Sequence, residues 1–140
     1  MFPLAQNAYV ELVEGSSTSA LSLEELLDIL NHYREQLAEA GRQLGWGYAE
    51  AAFPYSLEIG PTEGWLTLTG SLPSYRKLHI GLGARTIGDE RRVHIRILLP
   101  EGSTHGDKGK ANELSKYLGK RLKAEVHLMN GRVMYFNPRK

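Results

Sequence analysis

The stretch Lys77-Leu78-His79-Ile80-Gly81-Leu82-Gly83-Ala84-Arg85, followed closely by Arg92-Val93-His94-Ile95-Arg96-Ile97, decides the fold. Both segments alternate apolar and polar residues with a period of two, as half-buried strands do. With Gly88-Asp89 at the tip of a two-residue turn, Leu82 pairs with Ile95 and Ile80 with Ile97. All the apolar side chains then share one face, and a slip of one residue would destroy the match. The opposite face carries Lys77, His79, Arg85, Arg92, His94 and Arg96.

On the C-terminal side, Pro100 to Asp107 reads as a loop and Lys108 to Lys123 as a helix with Leu114, Tyr117, Leu118 and Leu122 along one stripe. Val126–Met129, Asn130-Gly131 and Arg132–Phe136 form a second hairpin signal. A type I′ turn at Asn130-Gly131 would pair Leu128 with Val133 and Val126 with Tyr135. On the N-terminal side, Tyr55–Ile59 and Trp65–Thr69 are strands joined by a turn at Gly60–Gly64. Ser22-Leu23-Glu24-Glu25 is a capping box opening a helix whose stripe is Leu23, Leu26, Leu27, Leu30, Tyr33 and Leu37, with Gly41 as its stop. Ala8–Val13 is a first strand, and Gly15–Ala20 a loop. The order β-α-β-β-β-β-α-β-β, built of successive hairpins, predicts an α+β fold: a largely antiparallel sheet with two amphipathic helices packed on it, in one domain over residues 1–140.

A chain of 140 residues with 41% hydrophobic and 24% charged residues has the composition of an ordinary globule. It has no cysteine, which excludes disulfide scaffolds, thiol nucleophiles, zinc fingers and iron–sulfur clusters. No apolar run approaches the roughly 20 residues of a membrane span. Met1–Asn7 lacks a basic n-region, so a cytoplasmic protein is expected. The net charge of +1 conceals a polarity, with ten acids and two bases in residues 1–63 and nine bases and two acids in residues 108–140. Such polarity fits a basic surface that meets an anion, or an acidic half that packs on a basic half.

The leading functional candidate is the loop Gly102-Ser103-Thr104-His105-Gly106-Asp107-Lys108-Gly109-Lys110. It enters a helix, whose first amides attract anions. The expected ligand-binding residues are His105, Gly106, Lys108, Gly109 and Lys110. Against this stands a plain structural role in which Asp107 is the N-cap. The loop is no Walker motif, since Thr104 stands where the first glycine belongs and Ala111 follows Lys110. Ser103, Thr104, His105 and Asp107 are triad residue types, but one short loop does not hold them in triad geometry. Among His32, His79, His94, His105 and His127 there is no H-x-x-x-H pair, so no metal or other cofactor is expected. The basic stripe on the central hairpin carries no interleaved aromatics, which argues against nucleic acid and for a solvated sheet face. Trp46, Tyr48, Phe53 and Tyr55 either line a pocket or fill the core.

His105–Glu113 and Asn130–Lys140 resemble a family of short, uncharacterised proteins of Gram-positive bacilli, and Trp46–Tyr55 belongs to the same resemblance. Together these segments cover under a quarter of the chain. The family is a domain of unknown function, so the resemblance implies a stand-alone bacterial protein and transfers no catalytic residue. The expected function is therefore a non-enzymatic binding or regulatory module, whose partner is a small anionic ligand or a protein, of undetermined oligomeric state and with no membrane attachment. The alternative is a small enzyme acting on a phosphorylated metabolite through the same 102–110 loop.

Overall fold

The computed structural model describes residues 6–44, 53–60 and 64–138. The elements are β1 (Gln6–Glu11), α1 (Leu23–Leu44), β2 (Tyr55–Ile59), β3 (Trp65–Gly70), β4 (Lys77–Ile87), β5 (Glu90–Leu99), α2 (His105–Leu122), β6 (Glu125–His127) and β7 (Val133–Tyr135). The strands form one sheet in the order β2-β3-β4-β5-β1-β6-β7, and every neighbouring pair is antiparallel. The expected α+β architecture is present, with both helices on one face of the sheet.

The central hairpin has the expected register: Leu82 lies opposite Ile95 and Ile80 opposite Ile97. Of its two turn residues only Gly88 has positive φ (62°), the pattern of a type II′ turn. Alternation sends Leu78, Ile80, Val93, Ile95, Ile97 and Leu99 inward, where they meet Ala8 and Val10 of β1, Leu66 and Leu68 of β3, and the helices. α2 crosses β1, β4, β5 and β6 with Leu114, Leu118 and Leu122 buried, and α1 packs beside β3 with Leu26 and Leu30. Burying each such aliphatic side chain contributes roughly 1.5–3 kcal/mol. The α1 cap is as expected: Ser22 N–H donates to Glu25 Oε1 at 3.0 Å and Glu25 N–H to Ser22 Oγ at 3.1 Å.

Four expectations are corrected. Helix α1 runs through Gly41 to Leu44. A glycine inside a helix costs only about 1 kcal/mol relative to alanine, too little to end it unaided. Strand β1 is Gln6–Glu11, two residues earlier than expected, because Val13 N–H turns to Ser16 Oγ (3.0 Å). Helix α2 starts at His105, three residues earlier, with Thr104 as its N-cap; Asp107 is not the cap residue but the third residue of the helix. The last hairpin is shifted by one: Val126 pairs with Met134 and His127 with Val133. Asn130 is not in the positive-φ region that a type I′ turn demands, whereas Gly131 is (φ 90°). A three-residue loop results, in which Gly131 N–H bonds Leu128 carbonyl (3.0 Å) and Leu128 N–H bonds Arg132 carbonyl (2.8 Å).

Candidate functional site

The 102–110 loop is tied down by its own side chains. Thr104 has extended backbone, and its Oγ1 accepts from Asp107 N–H (3.0 Å) and donates to Ser74 carbonyl (2.6 Å). The Asp107 carboxylate, fully buried, accepts from Thr104 N–H (3.1 Å), Arg76 N–H (3.0 Å) and the Tyr55 hydroxyl (2.6 Å). Burial first, and then that carboxylate, push the Tyr55 phenol far above its ordinary value, so it remains a donor. The anion at this helix terminus is thus Asp107 itself, in a capping box. The pattern T-x-x-D at residues 104–107 is the signal that marks it in the sequence.

The five expected site residues do not converge on one point. His105 is exposed at the start of α2, and Lys108 is half-buried. Gly106 packs on β4's approach segment: a Cβ there would lie 2.6 Å from Ser74 carbonyl and 2.9 Å from the Tyr75 ring. Gly109 is exposed, with open space around its Cα. Lys110 is buried and donates from Nζ to Glu113, which also accepts from Tyr33 Oη of α1. Burial would raise the Glu113 carboxyl, but these two bonds outweigh it and hold it below the ordinary carboxylate range. Glu113 therefore ties the helices together, and Lys110 pairs with it from within α2. Phe53 and Tyr55 of the aromatic cluster fill the core; Trp46 and Tyr48, and the N-terminal residues 1–5, lie outside the described residues.

A second site stands on the sheet face away from the helices. Its layout follows from strand register. In one row Trp65, Gly81, Arg96, Tyr9 and His127 lie side by side across β3, β4, β5, β1 and β6. In the next row stand Gly83, His94, Glu11 and Glu125. Side chains directly opposite on neighbouring strands have Cβ atoms about 4.5–5.5 Å apart, so each row is a contact series. The two glycines make room: a Cβ on Gly81 would sit 2.6 Å from the Trp65 ring, and one on Gly83 2.7 Å from His94 Nε2. Both rings consequently lie flat over β4. The guanidinium of Arg96 lies over Trp65 at 5.6 Å, and its Nε donates to Asn7 Oδ1 at 2.6 Å. Tyr9 meets His94 edge-on with ring centres 5.3 Å apart.

These residues line a cleft of about 640 Å³ bounded by Asn7, Tyr9, Glu11, Arg85, His94, Arg96, His127 and Leu128. At its floor Glu11 is only 2% exposed. It accepts from Arg85 Nε (2.6 Å), Arg85 Nη2 (3.0 Å) and Arg92 Nη1 (3.1 Å). Burial alone would raise the Glu11 carboxyl; the two arginines overcome that and hold it below the ordinary range. Burial, and after it the charges of Arg85 and Arg96, push His94 down against the opposing pull of Glu11, so its imidazole is neutral at pH 7. His127 Nε2 lies 2.8 Å from Glu125 Oε1. Arg85 and Arg92 belong to the basic stripe read from the sequence, and their ion pairs join it to the acidic first half through Glu11. The expectation of a stripe without aromatics holds for the hairpin alone, because β1 and β3 bring Tyr9 and Trp65 to the same face. No spacing in the sequence announces this cleft, whose groups come from four strands.

Among the described residues no helix is long and apolar enough to cross a membrane. The crystal structure of a protein of unknown function from Bacillus stearothermophilus is similar, with 44% sequence identity over 86% of this chain and 93% of that one, and a TM-score of 0.58. No curated protein matches significantly. The family described as a domain of unknown function, DUF1885, matches residues 6–138, which replaces the sequence expectation of under a quarter of the chain. With a family match of that extent, on a sheet and helices laid out as above, the chain belongs to the DUF1885 family.

Proposed function

We propose that this protein is a non-enzymatic binding module that holds a small anionic ligand, carboxylate or phosphate, in the cleft on the open sheet face. The observation that carries the reading is the state of Arg96. Its Nε is committed to Asn7, its plane is braced by Trp65, and its terminal amino groups have no hydrogen-bond partner among the described residues. A guanidinium held in that way is preorganised for two-point recognition of a carboxylate or phosphate. The neutral His94 and the hydroxyl of Tyr9 add short-range donors, and Leu128 supplies an apolar wall. Among the described residues the cleft lining holds no serine, threonine, cysteine or lysine beside a base, which supports binding over catalysis. The protein is taken to be bacterial and cytoplasmic, and to work as one domain; the organism of the similar crystal structure supports the first of these.

The test is a titration of the full chain with succinate and with inorganic phosphate at low ionic strength, followed by amide NMR. Saturable shifts at residues 7–11, 94–96 and 127–128, weakened at least about tenfold by Arg96→Gln, support the reading; one good charged bidentate contact is worth that much. Absence of saturable shifts there by millimolar ligand refutes it.

A second reading keeps the anion at the 102–110 loop, as a ligand or as a phosphorylated substrate. A hollow of about 310 Å³ beside that loop favours it, lined by Arg76, Lys77, Gly102 and Ser103 among others. The same titration separates the two, since shifts at residues 76–77 and 102–110 that survive Arg96→Gln belong to the loop.

A further inference from the structure

The floor of the cleft and the strand beside it hold a group that the anion reading does not use. Glu11 and Glu125 are directly opposed on β1 and β6, and His127 is two residues further along the same face of β6. Like charges directly opposite on neighbouring strands repel, and here Arg85 and Arg92 offset that repulsion from one side only, that of β4 and β5. One ligand atom from each of Glu11, Glu125 and His127 lies within 4.8 Å of the others. We propose that these three side chains bind a divalent first-row transition-metal ion.

Lone-pair accounting leaves room for it. A carboxylate offers about four acceptor sites. Glu11 spends three, two on Oε1 and one on Oε2, on the N–H groups of Arg85 and Arg92. One site on Oε2 is left. The guanidiniums approach from β4 and β5, whereas Glu125 and His127 lie on the opposite side, across β1. On Glu125 only Oε1 has a partner among the described residues, and that partner is His127 Nε2, a contact a shared ion would replace. The ligands sit on paired strands, so their backbone positions are set before any ion arrives.

The donor set selects the class of ion. One imidazole nitrogen with carboxylate oxygens suits manganese, iron, cobalt, nickel or zinc, and not the all-oxygen shells of calcium and magnesium. Two guanidiniums offset the two carboxylates, so the pocket attracts by coordination more than by net charge. Affinity should therefore follow the Irving–Williams order, nickel above cobalt above manganese. Three protein ligands leave coordination positions open toward the cleft. This site does not depend on Arg96 or on the anion reading.

The experiment titrates the full, chelator-treated chain with Ni²⁺ and with Co²⁺ above the ordinary imidazole range, near pH 7.5. One saturable site is expected, with paramagnetic broadening by Co²⁺ strongest at residues 9–11 and 125–127 and falling off with distance from them. Glu125→Gln and His127→Ala should each weaken Ni²⁺ binding at least about tenfold. His32→Ala, at an exposed histidine of α1, should leave it unchanged. Equimolar Mg²⁺ should not compete. A urea midpoint for Glu125→Gln close to that of the parent shows that lost binding is not lost folding. The proposal is overturned by no saturable site up to millimolar metal, by binding that survives both substitutions, or by binding that disappears with His32.

Discussion

Replacing Asp107 by alanine should be the most damaging single change in the 102–110 loop. Three donors converge on that fully buried carboxylate: Tyr55 Oη at 2.6 Å, Arg76 N at 3.0 Å and Thr104 N at 3.1 Å. A hydrogen bond to a charged group is worth about 1.5–3 kcal/mol, and a buried donor left without an acceptor costs about 1–3 kcal/mol. Three such losses set a ceiling of about 9 kcal/mol. Groups in one network do not add, so about 4–6 kcal/mol is expected. That is much of the ~5–15 kcal/mol that stabilises a domain. Thr104→Ala frees one amide, that of Asp107, and the Ser74 carbonyl, and should cost about 1–2 kcal/mol. Asp107→Asn should recover little, because its NH₂ would confront another donor. Urea unfolding with unchanged m is the assay, and Tyr55→Phe combined with Asp107→Ala should show coupling. If Asp107→Ala costs under about 1 kcal/mol, the capping-box reasoning fails and the loop regains its claim as a vacant anion site.

The sheet core predicts that Leu30→Ala and Ile95→Ala, both at positions with no exposed surface, each cost about 2–5 kcal/mol in the same assay, while Ser22→Ala costs about 1 kcal/mol through its lost cap. Gly81→Ala places a methyl 2.6 Å from the Trp65 ring; a loss of about 1–3 kcal/mol with a shift of tryptophan fluorescence is expected, and an unchanged spectrum and midpoint would show that the ring does not lie there. Burial, and secondarily Lys77, depress His79 below its ordinary value near 6.5. The unfolded chain therefore binds the His79 proton first, so this contribution to stability is complete above that value and is lost as pH falls through it toward the native one. The slope of urea stability against pH across that window should flatten in His79→Gln, and an unaltered slope would count against the assignment.

Local patterns in the sequence carried a large part of this fold, because they depend on neighbours along the chain. The alternation of Lys77–Arg85 and Arg92–Ile97 set the register that pairs Leu82 with Ile95, and Ser22 with Glu25 announced the start of α1. The same local information misplaced what competes locally. Asn130-Gly131 is compatible with turns of two or three residues, and the packing of Met134 against the core selects the longer one. At the start of α2, Thr104 and Asp107 are both good caps; the Tyr55 hydroxyl and the Arg76 amide, 52 and 31 residues away, draw Asp107 inside and leave the cap to Thr104. The cleft was beyond reach for a stronger reason. β1, first in sequence, inserts between β5 and β6, which places Glu11 beside His94 on one side and Glu125 on the other. A charge on one strand and its partners on three others share no spacing that a linear reading can measure. Only strand order turns a basic hairpin face, an isolated acid and two separate histidines into one cleft.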